Sequence, residues 1–307
     1  MDQKKLIIDT DPGIDDAMAI LFALSAPEIH LVGLTTIFGN VTTEIATRNA
    51  LALAELAGTS LPVSRGADRP LAIEPPPIAD FVHGPEGFGD VPVIHPRGAP
   101  TPLSAAYHLV EACKAEPGAI TICAIGPLTN LALALDLDPM IADNVAEVVV
   151  MGGSMVAGGN VTAFAEANIW QDPHAAERVL AAKWPVKLVG LDATHEIVCR
   201  RRDFAALAER SPKIGGFLNA AAQFYFDFYE KEVGLTGCHL HDPTAIIAAI
   251  RPELFTFKKE KVEAVLDGER IGETRICEDA SRQALRFAAE VDHEAVRSLF
   301  YETVGNC

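Results

Sequence analysis

Short apolar runs of strand length alternate with helix-length stretches along this chain, and that rhythm restricts the fold more than any other feature. Runs at 6–8, 29–35, 120–125, 148–151 and 186–191 interleave with helical stretches at 17–24, 43–56, 128–135 and 172–182. Strands that carry no polar alternation are buried on both faces, and a strand–helix–strand repeat supplies helices to cover both. The reading is an α/β fold: a single domain over 1–307 with an open, mostly parallel, mixed sheet. Thr101-Pro102 and Asp172-Pro173 each read as a cap with proline at the first helical position, and Asp292 precedes an amphipathic terminal segment.

The first strand runs into Asp9-Thr10-Asp11-Pro12-Gly13-Ile14-Asp15-Asp16-Ala17, which sets four carboxylates within eight positions. Pro12-Gly13 reads as a turn and the apolar stretch after it as a helix stopping before Pro27, so Asp15 and Asp16 fall in a first helical turn. Helix capping accounts for one acid there, not for four. Carboxylates a few ångströms apart repel unless one takes a proton or a hard cation such as Ca2+ or Mg2+ neutralises them. Open α/β sheets bind ligands beyond the carboxyl ends of their strands. Asp11 follows the first strand, Asn40 the second, Ile125 ends a third and Gly152-Gly153 end a fourth, so the polar residues converge on one rim.

Charge and composition exclude several partners. With 25 basic and 42 acidic side chains the net charge is −17, which disfavours nucleic acid, since its binding draws on Lys/Arg patches. Apolar residues make up 49% of the chain, but no uninterrupted run approaches a membrane span, so no membrane partner is expected. Met1 to Lys5 lead directly into a strand without the apolar segment of a signal peptide, and cytoplasmic location is the expectation. Cysteines 113, 123, 199, 238, 277 and 307 are scattered without a C-x-x-C pair, against zinc or dithiol chemistry. Cys238, near His239 and His241, reads as buried rather than nucleophilic.

The nine-residue aspartate string resembles the signature of the inosine-uridine-preferring nucleoside hydrolases, calcium-dependent enzymes that cleave the N-glycosidic bond of ribonucleosides. The resemblance extends in family order through Thr35-Thr36-Ile37-Phe38-Gly39-Asn40-Val41, His83-Gly84-Pro85-Glu86-Gly87-Phe88-Gly89, Ile125-Gly126-Pro127-Leu128-Thr129-Asn130 and Met151-Gly152-Gly153. It continues through Gly158-Gly159-Asn160, Glu166-Ala167-Asn168-Ile169-Trp170 and Asp172-Pro173 to His241-Asp242-Pro243. It implies a Rossmann-like nucleoside hydrolase fold, a small-molecule ribonucleoside substrate and a homodimer or homotetramer. By the same resemblance Asp11 is the base and a Ca2+ ligand, Asp16 the main ligand, and the Ile125 carbonyl and Asp242 complete the protein shell. Asp15, Asn160, Glu166 and Asn168 would hold ribose hydroxyls, with Asn40 beside them.

His241 resembles the leaving-group acid, and His83 is the second candidate. Tyr225 and Tyr229, in an aromatic stripe at helical spacing, read first as core and then as partners of the base. His239, two residues from His241, would face oppositely in an extended segment and is left unassigned. Ala167 stands where the family pattern carries an aromatic residue.

Two other readings share these residues. Asp9-Thr10-Asp11 after an apolar strand also resembles the Asp-x-Asp motif of haloacid-dehalogenase-like, Mg-dependent phosphatases, with Asp9 as nucleophile. A non-catalytic nucleoside-binding protein is the other. The Asp15-Asp16 pair and distant His241-Asp242 oppose the first, and the intact carboxylates oppose the second.

Overall fold

The computed structural model describes residues 3–306; Met1, Asp2 and Cys307 lie outside them. The first half of the chain runs β1 (Lys4–Thr10), α1 (Ile14–Ser25), β2 (Ile29–Thr36), α2 (Thr43–Leu56), β3 (Val63–Arg65), α3 (Asp80–His83), α4 (Ala105–Ala115), β4 (Ile120–Ala124), α5 (Thr129–Leu137), α6 (Ile141–Asn144) and β5 (Glu147–Met151). Next come α7 (Ala167–Gln171), α8 (Pro173–Ala181), β6 (Val186–Val189), α9 (Leu191–Thr194), β7 (Val198–Cys199), α10 (Arg201–Arg210) and α11 (Ile214–Phe228). The chain closes with β8 (Cys238–His239), α12 (His241–Ile250), β9 (Phe255–Glu260), β10 (Val262–Ala264), β11 (Thr274–Ile276), β12 (Leu285–Val291) and α13 (His293–Gly305).

Eight strands form the main sheet in the order β3-β2-β1-β4-β5-β6-β12-β9. Its pairs are parallel except β12 with β9, so the sheet is mixed and mostly parallel as the apolar runs imply. From β1 the chain winds outward through β2 and β3 and then returns to the other side of β1 with β4. The carboxyl ends of β1 and β4 therefore flank the point where strand order reverses, the place such sheets open a ligand crevice.

Both faces of the sheet are covered. On β1, Leu6 and Ile8 join a core built with α1, α11 and α12, while Ile7 joins a second core with α4, α5 and α8. Alternate side chains point to opposite faces, which explains an unbroken apolar run in a strand with no solvent face. Helix α1 is buried from Ile14 to Ala23 and packs centrally, so its first-turn acids Asp15 and Asp16 are carried inside with it. Asp172 caps α8 by accepting the Ala175 N–H, with proline at the first position, and Asp292 caps α13 by accepting the Ala295 N–H.

The expected start at Thr101-Pro102 is not a helix start. Ser104 caps α4 by accepting the Tyr107 N–H, while the Thr101 hydroxyl bonds that of Ser64 at 2.6 Å. A hydroxyl on β3 has taken the expected capping group. Among the described residues no helix is long and apolar enough to cross a membrane. Cys113, Cys123, Cys199, Cys238 and Cys277 are free thiols, and the sixth cysteine, Cys307, lies outside the described residues. Burial pushes the Cys123 and Cys199 thiols up to about 12, and Cys238 is also shifted well upward, so none is an activated nucleophile.

Candidate active site

The turn after β1 is tied together by Asp16. Its Oδ1 accepts the Thr10 hydroxyl at 2.5 Å and the Asp11 N–H at 3.2 Å, and its Oδ2 accepts the Gly13 N–H and the Asn40 Nδ2, both at 3.0 Å. Each oxygen of that carboxylate thus accepts two protein donors, which fix its orientation. Asp11 is held differently: Oδ2 accepts the Asn40 N–H at 2.6 Å, while Oδ1 is buried without a partner. Two glycines make room for it. A Cβ at Gly39, where φ is +155°, would come within 2.0 Å of Asp11 Oδ2, and one at Gly126 within 2.4 Å of Oδ1.

Asp15 reaches from the first turn of α1 to the start of α12. Its Oδ2 accepts the N–H groups of His241 and Asp242 at 3.1 Å each, a helix N-terminus facing an acid, and its Oδ1 is buried and unpartnered. The Asp242 carboxyl is pushed well above the usual range by burial first and then by the charges of Asp15, Asp16 and Asp11. Burial likewise raises Asp11 and Asp15, with Asp16 adding to each. Residues 226 positions apart in sequence share one field.

Ile125 lies one residue beyond β4, and its carbonyl accepts the Asn168 Nδ2 at 3.0 Å. The same amide nitrogen donates to the Met151 carbonyl, leaving Asn168 Oδ1 as an open acceptor. Glu166 caps α7: its oxygens accept the N–H groups of Asn168, Gly153 and Ile169, and burial pushes its carboxyl up to about 7. Asn160 stands apart from this buried group, exposed on the surface, where its Oδ1 accepts the Ala167 N–H. Asn40 secures Asp11 and Asp16 through its own backbone and side chain.

Beside the acids stands an aromatic and imidazole cluster. His241 is bonded at both ring nitrogens, Nδ1 with the Thr194 hydroxyl at 2.7 Å and Nε2 with the Tyr229 hydroxyl at 2.9 Å. The hydroxyls of Tyr229 and Tyr225 are 3.5 Å apart, and Tyr225 stacks on His83 with ring centroids 5.4 Å apart. His83 Nδ1 accepts the Ile14 N–H at 3.1 Å, so its proton resides on Nε2. Burial drives His83 down to about 3 and His241 well below its ordinary value, with His239 and His195 adding to the latter shift. The neutral imidazole is the favoured form of both.

Sequence reasoning did not bring His239, His195, Thr194 or a structural Asp9 into this site. His239 packs on His195 with centroids 4.6 Å apart and lies 5.5 Å from His241. The expectation that it faces away from His241 is thereby corrected: residues two apart in an extended segment share a face, and both rings lie on the same side here. Thr194 and His195 sit at the end of a four-residue helix with no motif around them. Asp9 was visible in the string itself. Its Oδ1 accepts the Thr35 hydroxyl and the Asn130 amide, and burial pushes it up to about 7. Its Oδ2 is buried without a partner, as Asp11 Oδ1 and Asp15 Oδ1 are, but its bonds tie it to β2 and α5 rather than to the Asp11–Asp16 turn.

The donor set suits a hard cation: buried carboxylate and carbonyl oxygens, two of them without partners, in mutually repelling acids. Among the described residues no three His, Cys, Asp or Glu side chains are arranged to hold an ion by themselves. A cation here would need the Ile125 carbonyl and oxygens from water or substrate as well.

A family model described as inosine-uridine preferring nucleoside hydrolase matches residues 6–298. The chain is 44% identical over 272 residues to uridine nucleosidase 1 of Arabidopsis thaliana, covering 88% of this chain and 81% of that protein. It is 37% identical over 269 residues to the inosine-uridine preferring nucleoside hydrolase of Crithidia fasciculata, covering 87% and 85%. Among solved structures, a plant nucleoside hydrolase superposes with a TM-score of 0.96 at 39% identity, covering 99% of both chains. A purine-preferring ribonucleoside hydrolase from Gardnerella vaginalis superposes with a TM-score of 0.94 at 33% identity, covering 98% of both.

Proposed function

Because the chain belongs to the inosine-uridine preferring nucleoside hydrolase family, enzymes that cleave ribonucleosides at the N-glycosidic bond, we propose that it does so with Asp11 as general base and the His241–Tyr229 pair on the leaving-group side. The observation that carries this reading is the buried, unpartnered Asp11 Oδ1 among carboxylates at the strand-order reversal. An oxygen so placed has lost water without gaining a donor, and a proton from an attacking water satisfies it.

Asp11, Asp16, Asp242 and the Ile125 carbonyl are the proposed ligands of a resident Ca2+. When bound, that ion supplies positive charge against the clustered acids and lowers the pKa of an adjacent water. Water then attacks the anomeric carbon, its proton passes to Asp11, and the C–N bond breaks with its electron pair leaving on the base. The base is protonated from the aromatic and imidazole cluster. His241 need not be an imidazolium for this: the Tyr229 hydroxyl, bonded to Nε2 of the neutral ring, gives its proton to the base and is reprotonated from solvent as the products leave, when Asp11 releases the proton it took from water.

Asp15 Oδ1, Asn168 Oδ1 and Glu166 are proposed to receive ribose hydroxyls, with Asn40 holding the acids in place and Asn160 at the rim. His83 and Tyr225, stacked together, would face the base or the sugar edge. Uridine is the substrate favoured by similarity to relatives named uridine nucleosidase at 44% identity. The test is release of free base across uridine, inosine, adenosine, guanosine and cytidine, with 2'-deoxyuridine as control. Uridine should be cleaved and the deoxy compound left nearly intact, because a missing hydroxyl leaves buried acceptors unpaired, a difference that reaches about 10⁴-fold. Equal rates on uridine and 2'-deoxyuridine would contradict the sugar contacts.

A further inference from the structure

A second cavity, about 470 Å³ in volume, opens between α10 and α13, and none of its lining residues belongs to the site above. Arg200, Arg202, Arg210 and Arg297 surround it, and among the described residues Asp203 is the only acid that lines it. This is the reverse of the chain as a whole, where acids outnumber bases by 42 to 25.

Three of the four guanidinium groups form no internal ion pair among the described residues. Among the described residues the polar partners of Arg200, Arg210 and Arg297 are neutral oxygens: the Thr236 carbonyl at 3.3 Å, the Asn306 amide at 3.4 Å and the Val198 carbonyl at 3.3 Å. All three bonds are long, so the donors are available at small cost. Arg202 meets Asp203 at 3.6 Å but is 82% exposed. Four guanidinium groups against one carboxylate leave a net positive charge in the cavity, and a bound anion relieves that repulsion.

The pocket also has an apolar side, formed by Leu207 and the ring of Tyr301, whose hydroxyl is buried towards the Cys199 thiol. Planar forked guanidiniums match the oxygens of a phosphoryl group, and the volume falls within the range of small-molecule pockets, about 300–1,000 Å³. A nucleic acid is the poorer fit, because the −17 chain around the pocket repels an extended polyanion.

We propose that this cavity is a binding site for a phosphate-bearing small molecule. The phosphoryl group lies among Arg200, Arg210 and Arg297, and any organic part rests on Leu207 and Tyr301. The bound group is free phosphate or a phosphomonoester, and two probes separate these sources.

The holoenzyme is titrated with inorganic phosphate and with glycerol phosphate at constant ionic strength, binding being followed by calorimetry and by phosphorus NMR, with glycerol as the uncharged control. Saturable binding near one per chain is expected. Tighter binding of the ester assigns an organic phosphate and equal binding assigns the inorganic ion. Arg200→Gln and Arg297→Gln should each weaken binding about tenfold, the worth of a charge-assisted hydrogen bond. Arg275→Gln, which breaks a surface pair with Glu263, should not. Melting temperature and basal uridine release verify that each variant is folded. Undiminished binding in both pocket variants, a response that only tracks ionic strength, or competition by uridine would overturn the assignment.

Discussion

At the scale of single residues, the proposed chemistry rests on two atoms, Asp11 Oδ1 and His241 Nε2. Asp11→Asn keeps the volume and the contact with the Asn40 N–H while removing the base, so turnover of uridine should fall by about 10²–10⁴ with an unchanged far-UV spectrum. A loss below tenfold in the folded variant moves the base elsewhere. His241 and Tyr229 are tested by comparing substrates. Tyr229→Phe removes the 2.9 Å bond to Nε2 and should slow uridine, whose base needs a proton, far more than p-nitrophenyl riboside, whose leaving group does not. Parallel losses would make the tyrosine a scaffold.

The acids were legible in sequence because four carboxylates after a buried strand have few alternatives. Tyr229 was legible only as an aromatic at helical spacing. Nothing local distinguishes a tyrosine that packs from one whose hydroxyl meets a histidine twelve positions on. Thr194 and His195 were not legible at all, since their relevance comes from where α9 ends in space.

At the scale of elements, the site depends on turns that tolerate no side chain. Gly39 follows β2 and has a φ of +155°, outside the range most residues adopt, and a Cβ there would meet Asp11 Oδ2 at 2.0 Å and Gln171 Oε1 at 2.7 Å. Gly39→Ala should therefore cost about 1–3 kcal/mol in stability through strain alone. It should also lower uridine turnover about 10²-fold by displacing the base. Gly216→Ala, with nothing within 4 Å of the added carbon in α11, should leave activity unchanged and the melting temperature equal or higher. If Gly39→Ala melts and turns over like the parent, the packing of Asp11 against that turn has no catalytic weight.

Helices were read well where side-chain caps are self-contained, as at Asp172 and Asp292. The reading failed at Thr101, whose hydroxyl is claimed by Ser64 of β3. The first error arises from a partner that a local pattern does not contain. His239, read as facing away from His241, instead lies beside it, as the period of two in an extended segment requires.

At the scale of the whole molecule, the winding of the sheet carries acids from α1 and α12 into one low-dielectric pocket, and that concentration links metal, proton and fold. Alternation of apolar runs showed the layers and the parallel sheet, but the strand order that brings Asp11 beside Ile125 is a long-range pairing no local period encodes. In the chelated protein Asp9 and Glu166 are raised to about 7, and Asp11, Asp15 and Asp242 are raised well above their ordinary range, each by burial first. A carboxyl whose folded pKa exceeds its unfolded one holds more protons in the native state, so stability falls as pH rises from the unfolded value near 4 through the folded one. A divalent cation competes with those protons and replaces them, hence its stabilising effect grows across the same window. Melting temperatures measured with excess Ca2+ and with chelator should nearly coincide at pH 5 and separate steadily towards pH 8. At a hundredfold excess over Kd the gap corresponds to about 2.7 kcal/mol. A gap that is constant or that narrows with rising pH would show that the cation binds away from these acids, and full uridine turnover in the chelated protein at pH 8 would remove it from the reaction.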